Sequence, residues 1–237
     1  MFNALRRLLT KAPKPAEPEA LMQWAQRHGH TYLNARNAAG CVVEGRLGTQ
    51  AWRLEWGAPQ RDYIAGLEMR MLADLTLPKE LVALVLNQEL GEVMEKRVYD
   101  DFVDDVQTRI ETQTPPEMRW LVMYPKLTAS ELGPLRDRFV AVSGTKLWLQ
   151  QWLASPLGAA LDAAQKLTGA DEAVVLSLHR CRLCLRLAMP DADMVVITAW
   201  FSVFEAALRE SMRLGAEWQG SHESLTTRPE TWQPGVE

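Results

Sequence analysis

An α+β fold, laid out as two halves of antiparallel β-meander with packed amphipathic helices, is what this sequence predicts. Three observations carry that expectation: a period-two alternation across residues 67–71, a helical apolar stripe from Leu90 to Ile110, and a second succession of strand-like and helix-like segments beyond Pro115 and Pro116.

The elements follow in chain order. Residues 1–16 carry Arg6, Arg7, Lys11 and Lys14 without an acid and run into a proline-stiffened linker. Phe2, Leu5, Leu8 and Leu9 fall at helical spacing, so residues 1–11 offer a basic amphipathic segment suited to an anionic membrane surface. Next, Ala20, Leu21, Trp24 and Ala25 share one helical face, and Gly29 supplies the C-terminal cap. Strands are expected at 41–47, 51–56 and 62–72, joined by turns at Gly48-Thr49 and Gly57-Ala58-Pro59. Residues 81–86 are a short continuous apolar run that suits a strand or a helix equally. Leu90, Val93, Met94, Val98, Phe102, Val106 and Ile110 then stripe one helix face, which Pro115 and Pro116 must end.

The second half reads as a strand at 120–124, a capping box from Thr128 to Glu131, a strand at 139–142 and a helix at 146–153. Ser155-Pro156 caps a further helix that runs to about Leu167. Strand material at 174–189, a turn at 190–193, a strand at 194–199 and a helix at 205–214 complete it. The resulting division is a basic segment and linker at 1–16, α+β halves at 17–111 and 117–219, and a polar tail at 220–237. The order strand, proline turn, strand, helix recurs in both halves and hints at a pseudo-duplication, though only Leu54 with Leu185 and the prolines at 59 and 190 coincide.

Composition narrows the function classes. Apolar residues at 47% and charged residues at 24% are globular values, and a net charge of -4 gives no global attraction to nucleic acid. No uninterrupted apolar run reaches the ~18 residues of a membrane span. Three cysteines are too few, and odd in number, for a disulfide framework, so a reducing compartment fits. The expected location is cytoplasmic, with the membrane periphery reached through residues 1–11.

Several constellations are candidates for chemistry. Arg180, Arg182 and Arg186 share one parity of a strand, a row of guanidinium forks suited to phosphate, carboxylate or anionic lipid. The reversed apolar parity upstream, at Leu176 and Leu178, implies a bulge or tight turn between His179 and Leu183. Of nine tryptophans, Trp52 and Trp56 share a strand face and Trp148 and Trp152 a helix face, positions from which large rings line a groove, an interface or a core. Cys181 and Cys184 form a Cys-x-x-Cys half-site with no second half, for which His28, His30 and Cys41 are the only other candidate ligands in type; His179 and Cys181 share a strand face, which allows a set with Cys41 arriving from another strand.

The string Asp100-Asp101-Phe102-Val103-Asp104-Asp105 pairs carboxylates four apart on a helix, a spacing that can hold Mg²⁺ against a diphosphate. It resembles the aspartate-rich motif of prenyl-diphosphate synthases. The resemblance covers a few residues only, and the second aspartate-rich motif and the all-helical pattern of that family are missing. It implies Asp100, Asp101, Asp104 and Asp105 as metal ligands, with the arginine row on the substrate.

Nucleophile elbows, glycine-rich phosphate loops and His-Glu-x-x-His are absent from the sequence. The expected function is therefore a non-catalytic binding or adaptor protein acting through protein–protein contacts, with no cofactor implied, self-association compatible with it, and nucleic acid not among its partners. A Mg²⁺-dependent phosphoryl or diphosphate enzyme built on the aspartate string is the alternative.

Overall fold

The computed structural model describes residues 19–34, 40–103 and 114–225, with the side chains of 101–103 and 219–225 excepted. The basic segment, most of the polar tail, and Asp104 and Asp105 of the acidic string lie outside the described residues.

The fold is α+β. Eight strands form one antiparallel sheet in the order β1-β2-β3-β4-β8-β7-β5-β6. They are β1 (Thr31–Asn34), β2 (Gly40–Leu47), β3 (Gln50–Gly57), β4 (Glu68–Asp74), β5 (Ala83–Asn87), β6 (Phe139–Ser143), β7 (Val174–His179) and β8 (Arg182–Ala188). The described helices are α1 (Glu19–Arg27), α2 (Gln88–Val103), α3 (Pro116–Met123), α4 (Ala129–Leu132), α5 (Lys146–Ala154), α6 (Pro156–Gln165) and α7 (Met194–Leu225). The meander β1–β4 is joined to the remaining strands by the β4–β8 pair, registered from Glu68 opposite Ala188 to Asp74 opposite Arg182.

Strand alternation sorts every side chain to one of two faces. On the first, a single row crosses the whole sheet through Tyr32, Val43, Leu54, Met71, Leu185, Leu176, Val85 and Ala141. This face carries the larger core, closed by α1, α5, α6 and α7 through Leu21, Trp24, Trp148, Leu161, Trp200 and Phe204. The second face carries a smaller core of Leu84, Leu86, Val142 and Val175 beneath Leu90 and Met94 of α2 and Met118 and Leu121 of α3.

The turns follow from local chemistry. Gly29, at φ +70°, closes α1, with His30 N–H donating to Ala25 O at 2.8 Å, the six-to-one bond of a glycine C-cap. Gly48, at φ +60°, opens the two-residue hairpin between Leu47 and Gln50. The β7–β8 hairpin also turns in two residues, Arg180 and Cys181, both at positive φ (48° and 64°), without the glycine or asparagine such a turn prefers. The parity reversal around His179 is this turn.

Three segments differ from expectation, and one left open is resolved. The third strand begins at Glu68, and residues 58–67 instead form a strap over the second face. The ambiguous run at 81–86 becomes β5, buried on both sides. Residues 120–124 lie mostly in α3, because Pro116 occupies the first turn and Glu117 follows it, a helix start that outweighs the β-prone run behind it. Residues 194–199 open α7: the Asp193 carboxylate accepts from Val195 N–H at 2.8 Å, and Ile197, Trp200, Val203, Phe204, Ala207 and Leu208 then bury one helical face.

Candidate functional site

The second face begins as a problem in electrostatics. Register places Glu55, Arg70 and Arg186 directly opposite one another on β3, β4 and β8, so two guanidiniums meet across a strand pair. Like charges facing one another this way destabilise a sheet unless acids lie between them. Glu68, fully buried, accepts from Arg186 Nη1 at 2.5 Å and from Arg70 Nη1 at 3.4 Å. Glu55 takes the other side of Arg70, and also pairs with Arg53 at 2.7 Å. Glu117, reaching down from α3, sits 3.8 Å from Arg186 Nε and holds Arg61 of the strap through Nε and Nη2 at 3.1–3.2 Å.

This network fastens two covering elements onto the sheet. Gln60 N–H donates to Glu68 Oε2 at 2.6 Å, and Arg97 of α2 pairs with Asp62 at 2.6 Å. Tyr63 is carried into the same layer, where burial and then Glu117 push its hydroxyl far above the ordinary phenol range. Cys184, facing the same way, is pushed up to about 11, chiefly by burial. Both groups hold their protons at neutral pH, and both arginines are committed to glutamates.

Outside this layer, α2 and α3 leave a groove. Val98, Tyr99, Leu121, Val122 and Tyr124 line a depression of about 540 Å³, with the Lys126–Glu95 ion pair at its edge. The helices that frame it expose Val93 (63%), Tyr99 (68%), Val122 (58%) and Met123 (72%). Burying this much apolar surface would be favourable.

A second depression, of about 840 Å³, lies over the β1–β4 meander; its rim is polar, with His28, His30, Glu44, Arg46, Asp74 and Arg182, and apolar side chains such as Trp52 and Leu72 share the lining. Its floor is aromatic: His30 stands edge-on to Trp52 at 4.7 Å between centroids, and Phe201 meets Trp52 at 4.9 Å and Trp24 at 5.0 Å. Gly45 makes room for this packing, since a β-carbon there would come within 2.7 Å of His30 Nδ1. His28 donates from Nδ1 to Trp24 O at 2.8 Å. Burial, then His28, holds the His30 imidazole below its ordinary value.

The residues singled out in the sequence are dispersed by the fold. Arg180 is exposed in the hairpin turn and not in a strand row; Arg182 pairs with Asp74 at 2.7 Å; Arg186 belongs to the buried network. Trp52 borders the polar depression. Trp56 is buried and donates to Met189 O at 2.9 Å. Trp148 and Trp152 pack 5.2 Å apart in the main core; Trp152 donates to Ala207 O at 3.2 Å, whereas the buried Trp148 Nε1 has no hydrogen-bond partner among the described residues. Cys181 sits in the turn and donates to Leu77 O at 3.1 Å, while Cys41 is buried on the first face. Asp100 is exposed on α2, and the side chain of Asp101 is outside the described residues, as are Asp104 and Asp105. Among the described residues no three metal-ligating side chains converge.

Sequence reading missed the α2–α3 groove and the glutamate–arginine network. A signal for the first exists: once Pro116 is placed at the start of a helix, Val122 and Met123 fall on a face the core does not need. The partners in the second lie up to 118 residues apart, and only register brings them together.

No family model and no curated protein sequence matches the chain. Among solved structures it is similar to that of the mycobacterial trehalose monomycolate transport factor A, TtfA, with a TM-score of 0.47 and 8% identity over 81% of this chain and 94% of that one. At that level the likeness assigns neither a fold family nor a function to this chain. No described helix is long and apolar enough to cross a membrane.

Proposed function

We propose that the protein is a non-catalytic binding protein that docks a partner protein along the α2–α3 groove. One observation supports this reading above others: two large apolar side chains, Tyr99 and Val122, stand more than half exposed in the lining of one depression, and the same two helices expose Val93 and Met123 beside it in sequence. Contiguous exposed apolar surface bordered by charges is the mark of an interaction site, and Tyr and Met are enriched in such sites. The groove suits an apolar segment whose anchor side chains seat between Tyr99 and Val122, with the rim pair of Lys126 and Glu95 fixing its register. The ion network beneath serves this role by holding α3 rigidly, so that the surface is preformed.

The test is affinity capture from a lysate of the parent organism, comparing the full chain with the double variant Tyr99→Asp/Val122→Asp. Both substituted positions are exposed, so the variant retains its circular dichroism spectrum and melting temperature. The wild type recovers a defined partner that the variant loses. Recovery of the wild type alone, or equal recovery by both proteins, would overturn the reading.

A further inference from the structure

The strap across the second face is closed by the strands it connects. Residues 58–67 leave β3 at Gly57 and return to the sheet at Glu68, and those two residues are partners across the β3–β4 ladder. The segment is therefore a loop whose ends the sheet already holds together, with the length of an Ω-loop, about 6–16 residues. Lifting it breaks no rung of the ladder. Gly66, at φ +76°, stands beside its far end, so glycines lie where the chain departs and where it comes back.

Little apolar surface holds the strap down. Ile64, 4% exposed, is its one fully buried side chain, whereas Ala58, Pro59, Gln60, Asp62 and Ala65 face solvent. Tyr63 packs against the smaller core but brings a buried hydroxyl with no hydrogen-bond partner among the described residues, which offsets part of what its ring contributes. Within the strap the backbone closes a single bond of its own among the described residues, Ile64 N–H to Arg61 O at 3.2 Å. Charge supplies the other fasteners: Gln60 N–H on the Glu68 carboxylate at 2.6 Å, Arg61 on Glu117 of α3 at 3.1 Å and Asp62 on Arg97 of α2 at 2.6 Å. The last pair is about half exposed on both sides, where salt screens it. Segments with few buried apolar contacts open locally at far less cost than the core.

From this combination of a loop closed by its own strand pair and fasteners made chiefly of charge, we infer that residues 58–67 are a latched lid, which comes off the second face as one cooperative unit between Gly57 and Gly66 while the sheet beneath stays intact. Shut, the lid ties α2 to α3 through Asp62 and Arg61 and lies over Glu68; open, it leaves the two helices without that common tether. The exposed Asp62–Arg97 pair is the catch, and ionic strength sets how often it releases. The device belongs to the fold alone and holds whether or not the groove outside it takes a partner.

The test is amide hydrogen exchange of the full chain, read by ¹⁵N–¹H NMR at Gln60 and Ile64. The Gln60 bond to Glu68 exists only with the lid shut, and the lone turn at Ile64 does not persist in water once Ile64 leaves the core. Both amides exchange faster than the slowest amides of β3 and β4, and at opening equilibria equal to each other within about threefold. Asp62→Asn, at an exposed position bonded to neither amide, keeps the melting temperature and speeds both about two- to fivefold, the worth of one exposed ion pair. Raising NaCl from about 20 mM to about 500 mM has a similar effect on the wild type and less than half that effect on Asp62→Asn, while the ladder amides keep their rates throughout. Exchange of Gln60 and Ile64 only as slowly as the ladder, or no protection at either, would overturn the inference. So would a response to Asp62→Asn by one amide alone or by neither, or salt acting equally on both proteins.

Discussion

Replacing Glu68 by glutamine tests the electrostatic account of the second face. The carboxylate is fully buried and answers three donors: Arg186 at 2.5 Å, Arg70 at 3.4 Å and Gln60 N–H at 2.6 Å. Glutamine keeps the shape and one acceptor but removes the charge from between two guanidiniums. Removing one partner of a buried ion pair costs about 3–5 kcal/mol. Here Arg70 retains Glu55 and Arg186 retains Glu117 at 3.8 Å, so the lower end, about 3 kcal/mol, is expected. With a urea slope of about 3 kcal/mol per molar, the unfolding midpoint falls by about 1 M while the slope stays the same. Tryptophan fluorescence reports the transition. Combining Glu68→Gln with Arg186→Met should cost at least about 1 kcal/mol less than the two single changes added together, because the pair is coupled. A midpoint shift below about 0.3 M, or strict additivity, would show that the carboxylate is not what neutralises the paired arginines.

Three further outcomes are expected. Gly45→Ala forces His30 and Trp52 apart and costs about 1–3 kcal/mol in thermal or urea unfolding, whereas Gly48→Ala, where nothing lies within 4 Å, strains only the turn. The Glu131 carboxyl is held at about 2 by the Thr128 backbone N–H and then by Lys146, below its ordinary 4.5; its stabilising contribution is therefore complete above pH 4.5 and is lost as pH falls toward 2, which a carbon-detected carboxyl titration will show and Lys146→Met will move part-way back. Burial raises the Cys41 and Cys184 thiols to about 11 each, so in the native protein at pH 8 iodoacetamide modifies Cys181 first and leaves the other two until urea is added, as read by peptide mass spectrometry.

Much of the fold was legible because many of its instructions are local. Thr128 to Glu131 closes the capping box its spacing announces, Ser155 caps α6 through Leu157 N–H, and Gly48 turns the first hairpin. The two helices read as strands, at Trp120 and at Met194, show where composition misleads: β-branched and aromatic runs adopt helix when a proline or aspartate start signal precedes them and one face can be buried. Of the arginine row, Arg182 and Arg186 keep one parity of β8, but Arg180 lies in the turn, beyond the strand within which parity holds. The network around Glu68 depends on strand order, which no local pattern encodes. Trp148 and Trp152 read identically in sequence; only their surroundings give Trp152 an acceptor and leave Trp148 Nε1 without one among the described residues.

The seam between β4 and β8 also governs how the chain is made. Asp74 and Arg182, which face each other across it, are 108 residues apart, so at about 5–20 residues per second the ribosome needs about 5–20 s to deliver the partner strand once the meander has emerged. Throughout that interval β4 presents an open flank of amide and carbonyl groups to any neighbouring nascent polypeptide. Glu68, Arg70 and Asp74 alternate along that flank, and an exposed strand bearing charges of both signs resists recruitment into aggregates. The side chains that later lock the finished sheet thus guard it while it is still half synthesised.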